Sequence, residues 1–91
     1  MKAPAGREVH YNFAMTLAKI SGRLPDAIAH FEEVVRLKPD FVDARNNLAV
    51  YYAQTGRLEA AIEQLEIAAR LNPASAAIRD NLEQLKARRK Q

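Results

Sequence analysis

The sequence predicts an all-α chain built by repetition, and three observations carry that prediction. The stretch from Gly22 to Pro39 (GRLPDAIAHFEEVVRLKP) returns 34 residues later as Gly56 to Pro73 (GRLEAAIEQLEIAARLNP), with Gly, Arg, Leu, Ala, Ile, Glu, Arg, Leu and Pro in register. A fixed period of this length marks units that bury a face by stacking on one another. Apolar residues recur at spacings of three and four, the helical period, and no alternating run competes as a strand.

Composition narrows the classes of function. Ninety-one residues make one small domain with a thin core. There is no Cys, which excludes a disulfide framework and a Cys-based metal site. The opening MKAPAGREVHYNF holds no apolar run of signal-peptide length. No segment approaches the ~20 apolar residues of a membrane span. A soluble, cytoplasmic chain with no membrane partner is expected, complete or a piece of a longer protein. Charge is uneven: residues 1–78 balance, and the net excess of +3 falls in residues 79–91.

Residues 1–6 (MKAPAG) show no pattern and are expected to be a disordered lead-in. From about Arg7 to Ile20, Tyr11, Ala14, Leu17 and Ala18 fall at helical spacing, and Ser21-Gly22 stops that helix. A second helix begins near Pro25, where a missing N–H costs nothing and Asp26 suits the dipole. Its buried stripe is Ala27, Ile28, Phe31, Val34 and Val35, ending at Leu37, and Pro39 forbids continuation. Asp40 then reads as an N-cap, with Asp43 three residues on in a capping-box position.

The third helix is expected over about Phe41–Gln54, with Ala44, Leu48, Tyr51 and Tyr52 inward, ended by Thr55-Gly56. The fourth, about Glu59–Leu71, buries Ala61, Ile62, Leu65, Ala68 and Ala69, and Pro73 ends it. Ser75 is the next cap. The fifth, about Ala76–Arg89, has a single apolar stripe of Ile78, Leu82 and Leu85, as a helix closing the end of a stack requires. Its last turn gathers Lys86, Arg88, Arg89 and Lys90, which complement the helix dipole. The divisions are 7–41 for one unit, 42–75 for the next, and 76–91 for a closing helix with a basic tail.

With these residues in place the chain resembles tetratricopeptide repeats over about residues 8–89. The motif residues are small Ala27 and Ala61, large Phe31 and Leu65 one turn on, and Pro39 and Pro73 at the close. NNLAVYYAQTG (Asn46 to Gly56) matches the family's first-helix signature. The first unit departs from it: Tyr11 stands where Trp is frequent, and Ala14 and Met15 replace a Leu and a small residue. Residues 76–89 match a first helix with no second following, as in the family's closing helix. The resemblance implies a right-handed superhelix of antiparallel helix pairs, five helices in all, and a non-catalytic scaffold that binds an extended peptide or a helix in its concave groove.

Carried over residue by residue, that groove takes Asn12, Phe13, Thr16 and Lys19 from the first unit, with Val9 beside them. The second unit supplies Asp43, Asn46, Asn47, Val50 and Gln54, and the closing helix supplies Asn81, Gln84 and Arg88, with Ala77 and Asp80. Amides dominate, and each offers both a donor and an acceptor. A column of them can pair with a peptide backbone without reading its sequence. Asn47 and Asn81 are expected to stack on successive helices, similar to the asparagine ladder of some protein glycosyltransferases; inter-repeat packing is the other reading of the same residues. The groove composition fits a peptide of little net charge.

A chaperone-tail clamp of Lys, Asn, Asn, Lys and Arg is argued against. The corresponding positions are Asn12, Thr16, Asn47, Ala77 and Asn81, which hold no cation.

Other chemistry finds little support. His10 and His30 lie near opposite ends of antiparallel helices, so no metal site is expected. Glu32-Glu33 reads as a solvated helix face. No cofactor, nucleophile–base set or Gly-rich phosphate loop is present. The partner is expected to be a protein or extended peptide. Rival readings are the substrate-recognition module of a larger enzyme and, through the basic tail, a nucleic-acid accessory. With only two units and a closing helix, self-association or membership of a longer array is also expected.

Overall fold

Four helices follow one another in the computed structural model, which describes Met15 and residues 23–90: α1 (Leu24–Leu37), α2 (Val42–Gln54), α3 (Leu58–Leu71) and α4 (Ala76–Arg89). Among the described residues there is no strand. Met15 is helical. The expected lead-in, and the expected helix over Arg7–Ile20 apart from Met15, lie outside the described residues.

The connections explain where each helix stops and restarts. After α1, the Lys38 N–H donates to Val34 O at 2.9 Å and the Phe41 N–H donates to Lys38 O at 3.1 Å. After α3 the same pair recurs 34 residues on, Asn72 to Ala68 at 2.9 Å and Ser75 to Asn72 at 3.2 Å. Pro39 and Pro73 each sit second in these turns, a position that suits a fixed φ and needs no N–H. The other kind of connection joins α2 to α3. There the Arg57 N–H donates to Tyr52 O at 2.8 Å and Gly56 to Ala53 O at 3.2 Å, with Gly56 at φ +80°. This is a Schellman ending, which requires the left-handed residue that glycine supplies at least cost.

One expected cap is corrected. Asp40 does not cap α2; the N-cap is Phe41, and no side chain bonds the exposed N–H groups there. Asp40 is held inside the proline turn, one residue too early. Ser75, at the register position of Phe41, does cap its helix, accepting from the Ile78 N–H at 3.3 Å.

The core is one cluster to which every helix contributes: Ala27, Ile28, Phe31 and Val34 from α1, Ala44, Leu48, Ala49 and Tyr52 from α2, Ala61, Ile62, Leu65 and Ala68 from α3, and Ile78, Leu82 and Leu85 from α4. Several expectations shift at its margin. Val35 and Ala69 are only half-buried. Tyr51 is half-buried and packs inward on the edge of the core, its ring stacked on Phe31 with centroids 5.5 Å apart. Ala49 is fully buried, although the sequence pattern passed it over. Leu37 does not complete the buried stripe of α1; it is 42% exposed, as is Leu71 at the same register. Each is the last residue of its helix, so no following turn covers it.

Consecutive helices run antiparallel. Arg89 at the end of α4 bonds Glu59 at the start of α3, at 3.4 Å, and Thr55, just past the end of α2, lies beside Pro25 in the first turn of α1. Ala61 has no exposed surface at the centre of the packing. Ala61→Leu is expected to overpack it and to cost about 1–3 kcal/mol, read from thermal and urea unfolding. A melting temperature equal to that of the parent would show that the helices do not meet closely at Ala61.

Candidate functional site

The antiparallel order brings α2 and α4 side by side and pointing the same way. One hydrogen bond joins them directly: Asn81 Nδ2 donates to Asn46 Oδ1 at 3.3 Å. The arginines at register, Arg45 and Arg79, each reach back to the carbonyl of the preceding proline, Arg45 Nε to Pro39 O at 2.7 Å and Arg79 to Pro73 O at 3.1 Å. Arg45 also donates to Gln64 Oε1 on α3 at 2.8 Å. Each arginine thus ties the first turn of its helix to the turn before it.

Between the C-terminal halves of α2 and α4 lies an open groove of about 490 Å³. Val50, Ala53 and Gln54 of α2 form one wall, and Asn81, Gln84, Leu85 and Arg88 of α4 the other, with Leu65 of α3 at the floor. The spacing on each wall is three and four, so one stripe of each helix faces the groove. Leu65 and Leu85 are core residues whose outer edges form an apolar base. Val50 is 37% exposed, a large apolar side chain left at the surface.

Of the residues expected at a groove, the structure brings together Val50, Gln54, Asn81, Gln84 and Arg88. Asn46 joins them through its bond to Asn81. Asn47 does not line the groove; its Nδ2 donates to Met15 Sδ at 3.6 Å. Asp43 is exposed in the first turn of α2, away from the lining. Asn12, Phe13, Thr16 and Lys19 lie outside the described residues. Asn47 and Asn81, 34 residues apart, each donate to a side chain earlier in the sequence, Met15 and Asn46. Ala53, Leu65 and Leu85 were not expected as lining. Their helical offsets from Val50 and Gln84 could have signalled the first and last, but a residue read as core gives no sign that its outer edge faces a groove.

A second polar cluster lies where α1 meets the turn between α2 and α3. Glu32 is exposed, as expected of a solvated face, but its carboxylate also accepts a hydrogen bond from the Tyr52 hydroxyl and stands 4.0 Å from the Arg57 guanidinium. Arg57 in turn lies over the Tyr52 ring, 4.2 Å from its centroid, an attractive placement for a cation. Glu33 is paired with Arg36, with Arg36 Nε donating at 2.8 Å. Burial first, and then the Glu32 carboxylate, push the Tyr52 phenol up to about 12, with Arg57 acting the other way. Tyr52 therefore keeps its proton at neutral pH and serves as a hydrogen-bonded pin between units rather than a general base. Among the described residues no group of His, Asp and Glu is placed to hold a metal ion, and no helix is long and apolar enough to cross a membrane.

Comparison with known proteins gives one family. The model for the tetratricopeptide repeat matches residues 17–76, more than half of the chain. No curated protein matches the chain.

The Tyr52 pin sets an alkaline limit. The folded chain holds this proton more tightly than the unfolded one, whose phenol titrates near 10. The stabilisation is thus complete below about pH 10 and lost as pH rises through about 12. Absorbance titration is expected to show one tyrosine ionising last, together with a loss of stability, and Tyr52→Phe is expected to remove that ionisation. A Tyr52→Phe chain whose slowest-titrating phenol is unchanged would assign the shift to another residue.

Proposed function

The chain belongs to the tetratricopeptide repeat family, and we propose that it is a protein-interaction module whose concave groove, between α2 and α4, takes a partner peptide or helix. Repeats of this family generally mediate protein–protein interaction and are typically scaffolds rather than enzymes. The proposal extends the four described helices to a five-helix, right-handed superhelix with units at 7–41 and 42–75 and a closing helix over 76–91. The recurrence of turns and arginine ties at 34 residues supports that division.

One observation carries the reading. Gln54, Gln84 and Arg88 stand around an apolar base with no hydrogen bond or ion pair to any other described residue, while the neighbouring Asn46 and Asn81 are bonded to each other. Polar side chains left unpaired beside Val50, Leu65 and Leu85 suit a ligand that buries an apolar side chain and offers backbone N–H and C=O groups to the amides. The tail does not compete well as a nucleic-acid surface. Arg88 lines the groove and Arg89 bonds Glu59 on α3, so the adjacent cations do not share one face.

Peptides selected on the chain from a random library, titrated into isotope-labelled protein, are expected to move the amide and side-chain resonances of Val50, Gln54, Asn81, Gln84 and Arg88. Val50→Glu is expected to weaken them at least about tenfold by placing a charge on the apolar wall. Shifts confined to α1 and the outer side of α3 would move the site elsewhere.

A further inference from the structure

We infer that the groove selects an acidic peptide, in which an aspartate or glutamate side chain lies within two positions of a large apolar residue. This rests on the groove reading above and adds the chemistry of the partner.

The first observation is the state of Arg88. Among the described residues, Arg23, Arg36, Arg45, Arg57, Arg79 and Arg89 each hold a carboxylate, an amide or a backbone carbonyl of this chain. Arg88 holds none, and it lines the groove. Arg70, likewise without such a partner, lies on α3 outside the lining. An unpaired guanidinium lining an apolar groove is free to take a carboxylate, which it can bind through two parallel hydrogen bonds.

The second observation is the distribution of charge. No acidic residue lines the groove. Asp43 sits in the first turn of α2 and Asp80 near the start of α4, at the opposite end from Arg88. The chain's excess positive charge lies entirely in residues 79–91, with Lys86 and Arg89 flanking Arg88 in the last turn of α4. The field at that end steers an anionic segment toward the groove. A neutral peptide, the expectation from the amide-rich list as a whole, would leave this cation unanswered.

Spacing sets the motif. Arg88 follows Leu85 by three residues, a rise of about 4.5 Å along α4. Successive residues of an extended peptide advance about 3.4 Å. An apolar side chain seated over Leu65 and Leu85 therefore places a carboxylate one or two positions away against Arg88.

The test selects dodecapeptides displayed as amino-terminal fusions, which have no free C-terminus, on the wild-type chain at low ionic strength. Binders are resynthesised as C-terminal amides and titrated by fluorescence anisotropy. The expected result is enrichment of Asp or Glu within two positions of a large apolar residue. Arg88→Gln is expected to weaken such peptides about fivefold, less so in high salt. Arg89→Gln removes the same charge outside the groove and is expected to change affinity less than about twofold. Acidic residues no commoner than in the library, an unchanged affinity in Arg88→Gln, or equal losses in both variants would overturn the inference while leaving groove binding intact. Peptides that bind only as free acids would assign the anion to a chain terminus and overturn it also. Failure to select any peptide, or resonance shifts outside the groove, would remove the groove reading and this inference with it.

Discussion

Close approach of helices at alanine is the constraint on which the packing depends. Ala27, Ala44, Ala49, Ala61 and Ala68 have no exposed surface. A methyl group at a buried helix position takes little room, so the larger core residues Phe31, Leu48 and Leu65 can fill the space around it. With so few residues the core has no second layer to absorb a misfit. Register is therefore strict: Ala27 and Ala61, or Phe31 and Leu65, occupy the same place one unit apart because the same backbone separation recurs.

That separation creates the groove as a consequence. Once α2 and α4 each pack on the same face of α3 by way of Leu48, Leu65 and Leu82, they must lie side by side in one direction, and their outward stripes must face each other. The proline turns and the arginine ties from Arg45 and Arg79 then fix where each helix begins. The asparagine contacts fix how far the helices slide past one another. The groove is the surface left when those demands have been met.

Much of the fold was legible in the sequence, for a physical reason. Helix period, proline, glycine and a serine cap act locally, and α4 begins and ends where its apolar stripe and Ser75 place it. What failed were inferences from residue type against register. Asp40 is a better capping residue than Phe41 in isolation, but Phe41 is the residue that matches Ser75 at 34 positions, and the turn geometry wins. Glu32 is exposed as expected, but its partners, Tyr52 and Arg57, went unseen because they come from a helix and a turn about 20 and 25 residues away, beyond the reach of any local pattern.

The site was legible as a face but not as a function, and the reason lies in how its polar residues are used. In sequence, Asn46, Asn47, Gln54, Asn81 and Gln84 look alike, a row of amides on first helices. In the structure they divide. The amides near the helix starts are taken up between units, with Asn81 on Asn46 and Asn47 on Met15. Those toward the helix ends, Gln54 and Gln84, are left to the groove with Arg88. An amide already satisfied by a neighbour gains little by exchanging that bond for a ligand's, whereas an unpaired one exchanges only water. On the proposed function, recognition falls in the half of the groove that also carries the cation and the apolar base. A uniform ladder would read a peptide backbone and little else; this arrangement uses its first amides in contacts within the chain and leaves the later ones for the proposed ligand.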